Sequence, residues 1–491
     1  MMDAMVRDEP ATTEPARTLK VDICVIGGGS AGLTAAGGAG LAGRKTVLIE
    51  GGKMGGDCLN YGCVPSKALL ASAKAAQTVR DAQGFGVGAS SPDVDFGGVL
   101  ARVQRVIGDL AHHDSQERFE TEFGVTVLRE HARFVGPNAV IAGATRVEAK
   151  HFVIATGSSP FVPPIEGLEN VPYLTNETVF DERPRPEHLI VLGGGPIGAE
   201  MAQAHRRLGC NVTVVEQGQI LGKDDPELVE FVRRRLRDEG VVLRERTKAV
   251  RVRQEGERVV LSVDGPEGKD EIIGDQLLVA VGRRANTGGV GLGEAGVSTT
   301  ERGIEVDDRM RTSNKSIYAV GDVTGGLQFT HVAGHQGRLA LKNILLAGFG
   351  GTIDKDIVPW VTYTEPELAH VGLTETQIKE RKLSHDVVRA PYSDNDRANT
   401  EDAAEGLLKV YVGKGGRVLG ASVVGLHAGE VIQTFAFAVA HKMKISDFDK
   451  AILPYPTLGE IAKAAADSYS FERTFTPFNK FALKLLGRFG K

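Results

Sequence analysis

Two cysteines separated by four residues stand in the run Gly55-Gly56-Asp57-Cys58-Leu59-Asn60-Tyr61-Gly62-Cys63-Val64-Pro65-Ser66-Lys67. Three chemistries suit such a pair. A zinc half-site would need a second Cys or His pair nearby, and none follows. A structural disulfide belongs to an oxidising compartment, and four cysteines in 491 residues do not make a disulfide-stapled secreted scaffold. The remaining reading is a dithiol/disulfide switch, whose thiolates need a helix N-terminus and a nearby cation. A helix is expected from Ala68 onward. The other cysteines, Cys24 and Cys210, sit singly in or beside apolar strand patterns and read as small buried hydrophobes.

The elements that must position this pair are legible on both sides of it. Val21 to Ile26 is a short buried strand that runs into Gly27-Gly28-Gly29-Ser30-Ala31-Gly32 and a small-residue helix, Leu33 to Leu41. That is G-x-G-x-x-G in a strand–turn–helix context. Gly27 makes the tight turn, Gly29 lets a pyrophosphate approach the backbone, and Gly32 lets helix and strand pack closely. The helix N-terminus offers amides and a positive dipole end to phosphates. A second strand, Lys45 to Ile49, ends at Glu50, where an acid reaches a ribose hydroxyl. The pattern recurs: strand His188 to Leu192, turn Gly193-Gly194-Gly195-Pro196-Ile197-Gly198, helix Ala199 to Leu208, and strand Asn211 to Val215 ending at Glu216. Gly193, Gly195 and Gly198 take the three glycine roles. Glu216 would accept from a free 2′-hydroxyl and repel a 2′-phosphate, and Gln217 and Gly218 bring no Arg to hold one. NAD(H) is therefore expected over NADP(H).

Composition bounds the rest. With 42% apolar and 25% charged residues the chain is an ordinary globular protein, long enough for about three domains. A net charge of −5 gives no electrostatic reason to expect nucleic acid. No apolar run is long enough to span a bilayer. Met1 to Lys20 lacks the apolar core of a signal peptide and reads as a disordered leader, so a cytoplasmic enzyme is expected.

The thirteen residues Gly55 to Lys67 closely resemble the active-site signature of the class I pyridine nucleotide–disulfide oxidoreductases, the family of dihydrolipoyl dehydrogenase, glutathione reductase and mercuric reductase. The resemblance runs from about Val21 to Asp467. Ile154-Ala155-Thr156-Gly157 resembles the strand returning beneath the FAD, and Val279 to Asn286, with Gly282, its counterpart in the NAD domain. Thr312-Ser313 with Ile317 to Asp322 resembles the second FAD motif, whose Asp322 would bind the ribityl chain. The resemblance implies FAD in the first module and NAD in the second, and no bound metal. It makes Cys63 the flavin-side thiol of the charge-transfer thiolate and Cys58 the interchange thiol that meets the substrate. Lys67 would sit near the flavin, paired with Glu200.

The chain also departs from its relatives. Disulfide reductases carry His-x-x-x-x-Glu in the C-terminal domain, the His being the base for the interchange thiol. Here Tyr455 stands at that His position and Glu460 keeps its partner's place. A phenol with an ordinary pKa near ~10 is a poor proton shuttle at neutral pH. Mercuric reductases resemble the chain in this Tyr, yet they end in a vicinal cysteine pair, whereas no cysteine follows Cys210 here. Pro196 stands where relatives often place a gating side chain.

The expected fold class is α/β, with two Rossmann-like dinucleotide-binding domains and a C-terminal α+β dimerisation domain. A leader spans 1–18. The FAD domain takes 19–165 and 293–355, the NAD domain 166–292, the dimerisation domain 356–467, and a basic amphipathic tail 468–491. Arg183 to Pro186 and the glycine-rich Asn286 to Gly296 read as linkers. The tail's Phe475, Phe478, Phe481, Ala482, Leu485, Leu486 and Phe489 recur at helical spacing opposite Lys480, Lys484, Arg488 and Lys491. Such a helix packs on a dimer or lies on the inner face of an anionic membrane. A homodimer is implied, with Tyr455 of one subunit against Cys58 of the other. Four functions stand open. The first is an NADH-dependent, mercuric-reductase-like reductase of a thiol/disulfide or soft metal-ion substrate. The others are a dihydrolipoyl dehydrogenase, an NADH:quinone or oxygen flavoprotein, and a membrane-associated electron-transfer subunit.

Overall fold

A computed structural model describes residues 15–481 and Lys484. Its contacts form two units. One holds the residues through Pro186 together with Gln276–Asp354, and the other holds Glu187–Asp275 and the residues from Lys355 onward. Segments 166–186 and 276–292 thus group with the first unit. Among the described residues, no helix is long and apolar enough to cross a membrane.

In the first unit, strands Thr126–Leu128, Thr46–Ile49, Arg17–Ile26 and Thr145–Ile154 lie side by side and parallel, with Ile317–Ala319 parallel on Thr145–Ile154. Ala139–Ala142 and Ala132–Gly136 extend the sheet antiparallel. Ile26 pairs with both Ile49 and Ile154, and Ala319 also pairs with Ile154, so the parallel strands end in one row. That carboxyl edge is where open α/β sheets bind ligands.

Period-two alternation splits the strand at the centre. Cys24 and Ile26 pack with Phe134 and Phe152 on one face. Ile23 and Val25 pack with Ala31, Ala35 and Ala39 of helix Ser30–Leu41 on the other. Small residues let this helix lie close to helix Thr330–Leu345, because a Cβ on Gly337 would fall 2.4 Å from the Ala31 carbonyl oxygen. The glycine-rich stretch read as a linker is instead part of the core on the Cys24 face of the sheet. Val290, Leu292 and Ala295 join the core, and the Val290 carbonyl accepts from the Phe134 amide at 2.8 Å. Turn-forming glycines there space apolar residues that the sheet needs covered.

In the second unit, His188–Leu192, Asn211–Val215 and Val242–Arg244 form the parallel sheet of the second glycine turn, followed by helix Pro196–Arg207. Three antiparallel strands, Lys248–Glu255, Arg258–Gly265 and Gly268–Gly274, make a separate sheet. The chain from Pro359 builds a five-stranded antiparallel sheet, in which Leu407–Gly413 and Val418–Gly425 are neighbours joined by the short turn Lys414–Gly416. Helices Ala428–Ala440 and Glu460–Thr474 cover it through Ile432, Phe435, Ile461 and Ala465, all buried. Cys24 and Cys210 are both fully buried. Of the tail, Phe475, Phe478 and Phe481 are exposed. Ala482, Leu485, Leu486, Phe489, Arg488 and Lys491 lie outside the described residues, as does the leader through residue 14.

Candidate active site

The first glycine turn fits the phosphate-binding role residue by residue. Gly27 has φ +108°, and a Cβ there would meet the Ala155 carbonyl oxygen at 2.2 Å. A Cβ on Gly32 would sit 1.8 Å from the Gly27 oxygen. Gly29 is the open one, since its nearest neighbour would be the Gly56 Cα at 3.8 Å. No side chain caps the helix that starts at Ser30, so its first amides face that open side. Glu50 accepts from the Gly28 and Gly52 amides, both at 2.5 Å, which fixes its carboxylate beside the turn. These features suit the pyrophosphate and ribose of FAD.

The segments that resemble the returning strands meet each other. Thr156 Oγ1 donates to the Asn286 carbonyl at 2.8 Å, and the Asn286 amide donates to the Gly157 oxygen at 3.0 Å. Gly282, at φ +135°, accepts from the Phe161 amide at 2.9 Å, all within the first unit. Asp322 accepts from Ser158 Oγ at 2.6 Å, and burial pushes its carboxyl above the usual carboxylate range.

The cysteine loop is more helical than the sequence suggests. Cys58 lies in a short helix, Gly56–Asn60, and the next helix begins at Cys63 itself and runs to Asp81. The expected start at Ala68 was too late because Pro65 falls in the first turn, where a missing N–H costs nothing. Cys63 therefore stands at a helix N-terminus, with Lys67 one turn further on.

Cys63 Sγ is 3.3 Å from Thr330 Oγ1, at the start of helix Thr330–Leu345. The hydrogen bond from Cys58, then that from Thr330 and the charge of Lys67, hold the Cys63 thiol down to about 6. The same shared hydrogen bond, with burial, pushes Cys58 far up. The surroundings thus polarise the pair, favouring a thiolate at Cys63 and a thiol at Cys58. Thr330 escaped the sequence reading, since a Thr 267 residues beyond Cys63 carries no local signal. Asp57 was in view but not assigned. Its Oδ1 accepts from Arg283 Nη2 and from Asn176 Nδ2, each at 2.9 Å.

The second unit repeats the turn. Gly193 has φ +108°, Gly198 would place a Cβ 2.0 Å from the Gly193 oxygen, and nothing lies within 4 Å of one on Gly195. Glu216 accepts from the Gly194 and Gly218 amides, each at 2.7 Å. Pro196 is the first residue of the helix. Glu200, nearly fully buried, accepts from the Tyr363 amide at 2.9 Å. It lies in the second unit and Lys67 in the first. Tyr455 is 70% exposed. Its hydroxyl donates to Asp396 Oδ2 at 2.8 Å, and that carboxylate raises the phenol above its ordinary value. Glu460 accepts instead from the Thr457 amide at 3.1 Å. The structure therefore gives Tyr455 a partner, Asp396, that the His-x-x-x-x-Glu analogy does not contain.

Residues 21–337 match the family model described as pyridine nucleotide-disulphide oxidoreductase, and 358–466 match its dimerisation domain, which supports a homodimer. A mercuric reductase of Streptomyces lividans is 37% identical over 457 residues, 91% of this chain and 96% of that one. A dihydrolipoyl dehydrogenase of Thermus scotoductus is 38% identical over 464 residues, 91% and 97% of the two chains. Among solved structures, LpdA from Mycobacterium tuberculosis superposes with a TM-score of 0.84 at 28% identity, covering 91% of this chain and all of that one. The flavoprotein disulfide reductase RclA from Escherichia coli, as its Cu(II) complex, gives 0.80 at 28% identity over 90% of this chain and 99% of that one. The chain belongs to the pyridine nucleotide-disulphide oxidoreductase family: it is a flavoprotein disulfide reductase that uses FAD and a pyridine nucleotide.

Proposed function

We propose that the protein carries two electrons from NADH through the Cys58–Cys63 pair to a soft metal ion, as mercuric reductases do. The observation that carries this reading is Tyr455, which stands where dithiol-oxidising relatives place a His base. Its proton is held by Asp396, so near neutral pH it donates a hydrogen bond and does not accept a proton. A soft cation needs no such base, because thiolates bind it directly.

In balance, the hydride of NADH opens the Cys58–Cys63 disulfide to one thiol and one thiolate. A divalent ion bound there then takes the two electrons and leaves as the metal, the disulfide re-forms and the thiol proton is released. FAD, held at the first glycine turn with Asp322, supplies the two-electron relay between coenzyme and disulfide. Cys63 faces that relay as thiolate, and Cys58 meets the substrate. Lys67, one turn after Cys63, sets its positive charge toward that thiolate, and Tyr455 comes from the partner subunit. Glu216, fixed by two amides, favours NADH over NADPH. Reduced thiols suit the cytoplasm.

The test is turnover of the FAD-loaded enzyme with NADH against Hg(II), lipoamide, glutathione disulfide and a quinone. Hg(II) reduction well above the others supports the proposal, and vigorous lipoamide turnover at neutral pH overturns it. A dihydrolipoyl dehydrogenase is the second reading, favoured by the Thermus scotoductus relative.

A further inference from the structure

Arg283 stands between two carboxylates that no sequence motif connects. Its Nη2 donates to Asp57 Oδ1 at 2.9 Å and to the Ser158 carbonyl at 2.8 Å. Its Nε donates to Ser158 Oγ at 2.7 Å, and Ser158 Oγ donates in turn to Asp322 Oδ2 at 2.6 Å. The guanidinium is also 3.9 Å from that same Oδ2. The Arg283 side chain is only 11% exposed, while the Asp57 carboxylate it holds is 39% exposed and is partly screened by water.

Asp57 is the residue before Cys58, and its second oxygen fills the space beside Gly62, the residue before Cys63. A Cβ on Gly62 would lie 2.8 Å from Asp57 Oδ2. One carboxylate is therefore packed inside the loop that carries both thiols. Cys63 is faced by Cys58 and Asp57 from its own loop, by Lys67 from the following helix and by Thr330 from helix Thr330–Leu345. Asp57 is faced by Arg283, Asn176 and Glu177, and Glu177 is itself pushed above its usual range by burial and by Asp57. Asp57 opposes a Cys63 thiolate, and Lys67 favours one.

We infer that Arg283 is a positioning residue for the redox pair: it neutralises the carboxylate packed inside the cysteine loop and ties that loop, through Ser158, to Asp322. This rests on the reading of Cys58 and Cys63 as the redox pair. Arg283 thereby sets both the place of the loop and the charge beside Cys63.

The experiment compares FAD-loaded wild type, Arg283→Gln, Asp57→Asn and the double variant, each reduced anaerobically by two electrons. The long-wavelength thiolate–flavin band is titrated against pH. The pH dependence of Cys63 alkylation by iodoacetamide, read by peptide mass, gives the same midpoint in any variant that loses FAD. Arg283→Gln leaves Asp57 uncompensated and should raise the midpoint by about one unit. Asp57→Asn leaves the guanidinium uncompensated and should lower it, and the double variant should return close to wild type. Opposite signs are the signature of charge, since a purely structural defect would move both single variants alike. Midpoints that shift in the same direction, or stay put, overturn the inference. A wild type with neither band nor a titrating Cys63 overturns the redox-pair reading instead.

Discussion

Thr330→Val keeps the branched shape at the start of its helix and removes the hydroxyl 3.3 Å from Cys63 Sγ. Hydrogen bonds to charged groups contribute about 1.5–3 kcal/mol. Cys63 is exposed and sulfur is a weak acceptor, so the low end applies, discounted to about 1.4 kcal/mol for solvent screening. At 1.36 kcal/mol per unit that is about one pKa unit. The sign follows from which form the hydroxyl stabilises. Thr330 donates to the thiolate, so its loss moves the Cys63 midpoint upward from about 6. Roughly nine-tenths thiolate at pH 7 should then become roughly half. The assay is the rate of Cys63 alkylation between pH 5 and 9, with the thiolate–flavin band of the two-electron-reduced enzyme as a second readout. Thr330→Ser, which keeps the hydroxyl, should titrate as wild type. A valine variant whose midpoint does not move would show that the thiolate is held without Thr330.

Three further outcomes follow from the geometry. With Glu216 fixed by the Gly194 and Gly218 amides, kcat/KM for NADH should exceed that for NADPH by about 1–3 kcal/mol, and equal values would refute the coenzyme assignment. Tyr455→His should raise lipoamide turnover by about 10²-fold or more near pH 7 by restoring a base. An unimproved His variant beside a fast wild type would refute the role given to Tyr455. His370, held between Ser422 Oγ and the Gly372 carbonyl, is driven by burial down to about 4. Its folded value lies below the ordinary ~6.5, so the stability it contributes is complete above that pH and is lost as pH falls toward 4. That loss is about 3 kcal/mol. Denaturation of wild type and His370→Gln across that window should show a shallower pH dependence for the variant, and parallel curves would refute the assignment.

Features set by short stretches of chain were legible without coordinates. The two glycine turns, Glu50 and Glu216 each belong to a strand–turn–helix–strand run of about thirty residues, whose sterics leave few choices for where each glycine must go. The Cys58–Cys63 spacing and the neighbouring helix are of the same kind, although Pro65 disguised where that helix begins. Composition could not tell a glycine-rich linker from a glycine-rich covering segment, because burial of Val290, Leu292 and Ala295 depends on a sheet built from distant strands. Cys58 and Lys67 are local to Cys63, but its distant neighbour and those of Asp57 and Tyr455 were decided by folding. Thr330 reaches Cys63 across 267 residues, Arg283 reaches Asp57 across 226, and Asp396 meets Tyr455 across 59. Side-chain hydrogen bonds act over about 3 Å whatever the separation along the chain. The residues that tune this chemistry therefore leave no periodicity or spacing, and become neighbours only when the helices, strands and loops that carry them pack together.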